Sequence, residues 1–303
     1  MERLKFIDLF AGIGGFHLAL HRLGLECVLA SEIDKIARKS YEHNFQKISP
    51  DIFKKNLFNE DIFDLDAKDI PDFDICCGGF PCQPFSQIGK RKGFSENLEK
   101  RGNLFFEIER IIKQKKPKAF FLENVQHIVN HDNGNTFRTI KEKLEKLNYS
   151  FYHKVIKASD FNLPQLRPRT FMVGFYNEKP EDKFFTFPNA IPLKKTMSDI
   201  FGGNCSRDVG FTLRLGGMGS GIDDRRNWDS YLVDGKVVRL QPSHGKEMQG
   251  FPKDFYLADS RTQSMKLLGN AVAVDVVYNI GKQILIYLNN PDSFKDNKQL
   301  KVL

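Results

Sequence analysis

"FIDLFAGIGGFHLAL", residues 6–20, places three glycines between an apolar run and a helical pattern. Residues 4–10, largely apolar, read as a buried strand, whereas residues 16–24 space their apolar side chains for a helix and stop at Gly24. Gly12, Gly14 and Gly15 clear side chains from the turn between them, so backbone can approach a ligand closely at the helix N-terminus. Strand, glycine turn and helix in that order open a doubly wound sheet. The full G-x-G-x-x-G pattern is absent, because His17 stands where its third glycine would fall, and a nucleoside cofactor without a pyrophosphate fits better than a dinucleotide. Twenty positions after Gly12, Glu32 ends the next apolar run, where its carboxylate can accept hydrogen bonds from both hydroxyls of a ribose. A plain glycine turn in an ordinary α/β core is the competing reading.

Outward from this unit the alternation continues. Residues 27–34, 73–79 and 118–125 read as strands, and the segments beginning "KIARKSYEHNF", "LFFEIERIIKQKK" and "NTFRTIKEKLEKLN" as helices. Strands alternating with helices predict an α/β fold, a doubly wound Rossmann-like domain with a largely parallel sheet. "FYHKVIKA" and "TFMVGFY" predict two further strands in a hairpin-like extension joined by "SDFNLPQLRPR". From Pro188 to about Val238 periodicity fades and Gly, Asp, Asn and Arg rise, which places a second, smaller, irregular or β-rich domain there. The expected division is 1–188 as the catalytic and cofactor-binding domain, completed by 260–303, with 189–259 as the small domain. Residues 271–288 predict an amphipathic helix that returns to cover the sheet.

The chain has 303 residues, 41% hydrophobic and 28% charged, which is enough apolar material for a packed core and excludes a disordered or fibrous class. No run of about 18 apolar residues is present and "MERLKFIDLF" lacks the features of a signal peptide, so an intracellular, cytoplasmic protein without a membrane partner is expected. The five cysteines, Cys27, Cys76, Cys77, Cys82 and Cys205, show no metal-type spacing; reduced thiols and no metal site are expected, four of them in apolar packing. Lys and Arg number 46 against 38 Asp and Glu, a formal charge of +8. That balance fits a polyanionic partner, although many basic proteins bind no nucleic acid.

Four further stretches carry chemistry. In "GGFPCQPFSQIG", residues 78–89, Cys82 follows the carboxyl end of a strand, the edge where open α/β sheets hold ligands, and Pro81 and Pro84 restrict the backbone on either side of the thiol. A stiff surface turn is the alternative. Glu123 ends the apolar strand "FFLENV" at the same edge, where apolar surroundings raise a carboxyl pKa and suit an acid that donates near neutral pH; capping or pairing with a lysine is the alternative. In "LPQLRPRTF", Arg167 and Arg169 alternate at strand spacing, so both can face one side and meet a phosphate and a carbonyl oxygen, unless the strand is simply solvated. In "KLLGNAVAV", Asn270 precedes the last helix and either reaches a cofactor or N-caps that helix.

In order, "DLFAGIGG", "FPCQPFS", "ENV", "QLRPR" and "GNAV" resemble the motif series of the DNA cytosine-5 methyltransferases, most closely the bacterial restriction-modification type, over residues 4–188 and about 238–288. The resemblance implies an S-adenosylmethionine-dependent enzyme, releasing S-adenosylhomocysteine, that acts on double-stranded DNA after the target cytosine is swung out of the duplex. It implies that Cys82 attacks carbon 6, that Glu123 hydrogen-bonds or protonates N3, that Arg169 holds the cytosine carbonyl oxygen and that Arg167 lies near the target-strand phosphate. For the cofactor it implies Phe10, Gly12, Ile13 and Gly15 in the first loop, Glu32 on the ribose, Ile33 where some members use an aromatic, Asp61 and Ile62 at the adenine edge, and Pro81, Leu104, Asn270 and Val272 completing the lining. For DNA it implies the threonine-leucine pair Thr212 and Leu213 before a glycine-rich loop. Gln83 and Ser86, on the basic loop that follows Cys82, are further candidate DNA contacts. Arg214, Arg225 and Arg226 are candidate guanine readers, though phosphate contact or solvation suits any one of them. The type further implies a monomer, and a cognate restriction endonuclease as a partner that forms no stable complex, in use at the bacterial nucleoid. "PSHGKEMQGFP" departs from the family, with Ser243 and His244 where Arg-Glu is common, which puts the packing of the hinge in question. A tRNA cytosine methyltransferase of the same fold and a non-catalytic DNA-binding regulator are the alternatives; the intact Cys82, Glu123 and Arg169 speak against the second.

Overall fold

Strands that are apolar on both faces have to be covered on both faces. In β1 (Lys5–Leu9) Phe6 joins one core while Ile7 and Leu9 join another. The same alternation runs through β5 (Ala119–Val125), where Phe121 packs with the first core and Phe120 and Leu122 with the second. The computed structural model, which describes residues 3–81, 104–178, 184–214 and 216–294, therefore has three layers. The sheet between them carries, besides β1 and β5, β2 (Glu26–Ser31), β3 (Phe58–Asn59), β4 (Ile75–Gly79), β6 (Tyr152–Ile156) and β7 (Arg169–Phe175), in the order β3-β2-β1-β4-β5-β7-β6. On one face lie α1 (Gly15–Arg22) and α2 (Lys35–Phe45); on the other lie α4 (Leu104–Lys115) and α5 (Asn135–Lys146), with the short α3 (Pro50–Lys54) after α2.

Strand order reverses between β1 and β4, because the chain first winds outward through β2 and β3 and then returns. A crevice opens at such a reversal beyond the carboxyl ends of the two strands. The glycine turn after β1 and the Phe80-Pro81 segment after β4 are its two lips. β7 is the exception to the parallel pattern: it runs antiparallel to β5 with Val125 opposite Arg169 and Glu123 opposite Phe171. Its first residue, rather than its last, thus arrives at the edge formed by the carboxyl ends of β1, β4 and β5.

His17, at the position of the missing third glycine, is wholly buried; its ring stacks on Phe45 at 4.0 Å, with Nδ1 2.6 Å from the Tyr41 hydroxyl and Nε2 2.9 Å from the Ser49 hydroxyl. It locks α1 to α2, so the space a dinucleotide motif leaves open is filled by packing.

The region read as irregular contains α6 (Met197–Phe201) and a β-hairpin, β8 (Ser230–Val233) paired antiparallel with β9 (Lys236–Arg239). Asp234 and Gly235 join them with φ of 47° and 74°, the left-handed pair of a tight hairpin turn. "VDGK" spells that turn, and the periodicity reading passed over it. After α7 (Pro242–Gln249), Phe251 and Phe255 enter the same core as Phe45 of α2, and the Ser40 hydroxyl donates to Tyr256 O at 2.7 Å, so residues 250–259 are fastened to the main body. Within α7, His244 accepts the Gln241 amide at 3.2 Å. Residues 261–289 are long and apolar enough by composition to cross a membrane, but they are two helices, α8 (Arg261–Asn270) and α9 (Val274–Asn289), and α9 buries Val277, Ile280 and Ile284 in the core it shares with α1. Cys27, Cys76, Cys77 and Cys205 are free and buried.

Candidate active site

Three residues in the turn after β1 occupy the left-handed region: Phe10 (φ 56°), Gly12 (φ 56°) and Gly14 (φ 83°). For Phe10 this is a strained conformation, of a kind that clusters at ligand clamps. The strain is held by Glu32 at the end of β2, whose two carboxylate oxygens accept the Gly12 and Asp34 amides, each at 2.8 Å. Burial pushes the Glu32 carboxyl up, and these amides, Asp34 first, pull it back. Beyond Gly12 a side chain would meet nothing within 4 Å, and Ile33 is 53% exposed beside Glu32. An open backbone turn, a carboxylate with lone pairs to spare and a bare apolar side chain together fit the ribose and adenine of a nucleoside cofactor.

The remaining cofactor candidates differ in what they offer. Ile13 and Ile62 are core side chains, 1% and 4% exposed. Asp61 is half-buried and its carboxylate accepts the Phe63 amide at 3.1 Å. Leu104 begins α4 half-buried, and Pro81 is exposed. Val272 packs on the glycine turn itself, since a Cβ on Gly15 would lie 2.5 Å from its Cγ2. Asn270 is exposed at the end of α8, and the N-cap of α9 is Ala273. The capping alternative for Asn270 therefore fails, and its amide is open to the solvent.

Glu123 is 8% exposed, and its carboxylate receives the Arg169 Nε at 3.0 Å. Burial pushes the Glu123 carboxyl above its ordinary value, while Arg169 and Arg167 draw it down. A carboxyl so placed keeps its proton to a higher pH than an ordinary carboxylate and can release it to an adjacent base. Arg169 reaches it because β7 is reversed. Gly79, opposite Glu123, leaves the space free: a Cβ there would stand 3.2 Å from Oε2.

Arg167 departs from expectation. It does not share a strand face with Arg169, because β7 begins only at Arg169 and Arg167 turns at φ 26°. Its guanidinium is 2% exposed and donates to Leu213 O at 3.2 Å, to Gly269 O at 3.0 Å and to Ala271 O. With Nη1 and Nη2 on three buried carbonyls and Nε buried without a partner, the group is placed as an internal clamp rather than as a surface contact to phosphate. Arg167 instead clamps the Thr212-Leu213 segment to the joint between α8 and α9. Gln165, wholly buried, reinforces the clamp, accepting the Leu213 amide at 3.1 Å and donating to Met248 O at 3.2 Å.

Two residues went unnoticed in the sequence. Asn124, 2% exposed, donates to Phe80 O at 2.8 Å and so fixes the backbone leading to Pro81. Its signal was a carboxamide inside an apolar strand, which has to find a partner there. Gln165, in the Pro-flanked segment before β7, carried no such local signal. Among the DNA candidates, Thr212 is half-buried and Arg225 exposed; Arg214 is exposed and donates to Arg226 O at 2.7 Å. Arg226 spends its fork on Asp224, with Nε at 3.1 Å and Nη2 at 2.7 Å. It can read guanine only by releasing that carboxylate. Cys82, Gln83 and Ser86 lie outside the described residues.

Residues 4–215 and 217–285 match the family model described as C-5 cytosine-specific DNA methylase. The chain is 36% identical to the Type II methyltransferase M.HhaI of Haemophilus parahaemolyticus, over 93% of this chain and 95% of that one. It is 38% identical to the Type II methyltransferase M.SsoII of Shigella sonnei, over 95% and 82%. Among solved structures, S. pombe Dnmt2 methyltransferase superposes with a TM-score of 0.71 at 21% identity, covering 95% of this chain and 100% of that one, which shows the shared fold.

Proposed function

The chain belongs to the C-5 cytosine-specific DNA methylase family, and from that premise we propose how its own residues methylate carbon 5 of cytosine in DNA. The observation that carries the reading is the buried Glu123–Arg169 pair, 3.0 Å apart at the carboxyl edge of the sheet, with Asn124 holding the backbone that leads to Cys82.

The reaction needs an aromatic ring made nucleophilic at carbon 5. Cys82, as thiolate, adds through sulfur to carbon 6; the π electrons shift toward the ring nitrogen and carbonyl, and Glu123 delivers its proton to N3 so that no net charge stays on the ring. Arg169 turns from Glu123 to the cytosine carbonyl oxygen, which fixes the base and stabilises the developing oxyanion. When bound, S-adenosylmethionine, the methyl donor of this family, supplies an electrophilic methyl group to carbon 5. Loss of the carbon 5 proton to a base, departure of the Cys82 sulfur from carbon 6 and return of the N3 proton to Glu123 then restore the aromatic ring.

Glu32 is assigned to the ribose hydroxyls, Ile33, Asp61 and Ile62 to the adenine, and Phe10, Gly12, Ile13, Gly15, Pro81, Leu104, Asn270 and Val272 to the rest of the lining. Residues 189–259 are assigned to target recognition, with Thr212, Arg214 and Arg225 toward the DNA and Arg226 joining them once Asp224 is displaced. The enzyme is proposed to work as a monomer at the nucleoid, as the modification partner of a restriction endonuclease that acts separately. What supports this part is that the relatives are Type II methyltransferases and that the chain is basic in balance. The test is transfer of labelled methyl from S-adenosylmethionine to duplex DNA and to tRNA, followed by nucleoside analysis. 5-Methylcytosine in DNA alone is expected; label confined to tRNA, or label on no cytosine, refutes the reading.

A further inference from the structure

The segment 216–221, which follows Thr212-Leu213, presents bare backbone outward: a Cβ on Gly216, Gly219 or Gly221 would meet nothing within 4 Å. Gly217 and Gly219 have φ of 88° and 86°, and a Cβ on Gly217 would strike Arg226 O at 2.3 Å. Such a loop has little conformational preference of its own and large entropy to lose, so its pose has to be imposed from beneath.

Beneath it lies Asp229, wholly buried just before β8. Its Oδ1 accepts the Gly219 amide at 3.1 Å. Arg239, at the end of β9, places Nη1 3.2 Å and 3.3 Å from the two carboxylate oxygens and donates through Nη2 to Gly219 O at 3.1 Å and Ser220 O at 3.2 Å. Arg261, the first residue of α8, puts Nη2 3.5 Å from Asp229 Oδ2 and donates to Leu240 O at 2.7 Å. One carboxylate thus holds a loop amide, an arginine that grips the same loop's carbonyls, and an arginine rooted in the main body. A buried charge is tolerated where it is paired and its lone pairs are filled, and removing one partner leaves the others uncompensated.

We propose that Asp229, with Arg239 and Arg261, is a positioning brace that sets the pose of the glycine-rich segment 216–221 against target DNA and thereby governs which site is methylated. The proposal deepens the recognition role assigned above to residues 189–259 and rests on that reading. Asp229 touches no substrate; it acts through the backbone of Gly219 and Ser220. A brace of this kind moves the DNA terms of the kinetics and leaves the cofactor terms alone.

The test compares wild type, Asp229→Asn and Arg239→Lys, the last keeping a cation near Asp229 while losing the fork that reaches both carbonyls. In Asp229→Asn, hydrogen exchange over 216–221 is expected to rise about tenfold or more while β1, β4 and β5 exchange as in wild type. The KM for DNA is expected to rise about tenfold with kcat and the KM for S-adenosylmethionine within about twofold, and bisulfite sequencing of a plasmid substrate is expected to show methylation spreading to sites one base pair away from the preferred one. Arg239→Lys shows the same pattern more weakly, and decides the matter alone if Asp229→Asn does not fold. Unchanged exchange at 216–221 with unchanged DNA KM and site choice overturns the brace, as does a parallel loss in kcat, both KM values and exchange throughout the protein. A wild-type protein that methylates no cytosine overturns the functional reading first and the brace with it, whereas active wild type with indistinguishable variants overturns the brace alone.

Discussion

Replacing Arg167 by lysine separates a buried clamp from a phosphate contact. The substitution keeps a cation but loses the planar fork, and the ammonium, more strongly hydrated than a guanidinium, adds desolvation cost to the lost hydrogen bonds. Arg167 serves Leu213 O from Nη1, and Gly269 O and Ala271 O from Nη2, two sets of acceptors spanned by a planar fork. An ammonium group converges on one point and leaves at least one of these buried carbonyls unpaired, at about 1–3 kcal/mol. For a chain of 303 residues that corresponds to a drop in Tm of roughly 1.5–5 °C, read by calorimetry. The released joint carries Val272, which packs on Gly15, so the KM for S-adenosylmethionine should rise about three- to tenfold as well. A Tm within about 1 °C of wild type and an unchanged KM would refute the clamp. Arg167→Met completes the argument: a buried guanidinium neutralises no phosphate, so the salt dependence of DNA binding should keep its slope, whereas a slope smaller by about one would restore the phosphate role.

Glu123→Gln should lower kcat by about 10²–10⁴-fold with S-adenosylmethionine binding retained in calorimetry, because the proton for N3 is gone. In wild type the acid must be protonated, so kcat falls as pH rises through the raised Glu123 pKa; the variant should lose that alkaline limb, and its persistence would assign it elsewhere. Asp8 is wholly buried, and burial holds its pKa well above the ordinary range against the opposing pull of the His17 amide. The folded state therefore keeps a proton that the unfolded chain has released, and stability declines as pH rises above the ordinary carboxylate value, by up to about 1.4 kcal/mol per pH unit, until Asp8 ionises in the fold. Asp8→Asn should flatten this slope in denaturant titrations between acidic and neutral pH; an unaltered slope contradicts it. Gly15→Ala should cost about 1–3 kcal/mol by driving a Cβ to 2.5 Å from Val272 Cγ2, and Val272→Ala in the same chain should recover most of that in thermal melts.

The unit of β1, glycine turn and α1 was legible because strand periodicity, glycine content and helix periodicity change within fifteen residues and each has a local cause. Glu123 was legible for the same reason, a lone carboxylate ending an apolar run. Arg167 was not: spacing alone said that two arginines two apart share a face, but the alternation needs a strand, and β7 starts after the Pro168 constraint has been passed. Its partners Leu213, Gly269 and Ala271 come from 46 to 104 positions away, a distance over which local pattern carries no information. Asp229, Arg239 and Arg261 were hidden likewise, as charges in a region where charge reads as surface. The β8–β9 hairpin was within reach, since Asp-Gly between the runs "YLV" and "KVV" is a turn signal; it was masked by the glycines and aspartates around it.

The central claim, covalent catalysis through Cys82 on an everted cytosine, is tested most directly with duplex DNA carrying 5-fluorocytosine at the preferred site. Fluorine cannot leave carbon 5 as a proton does, so the enzyme should remain bonded to carbon 6 after methyl transfer, and mass spectrometry should find the DNA adduct on the peptide that contains Cys82. Absence of an adduct in wild type, or an adduct that persists in Cys82→Ala, would contradict the account.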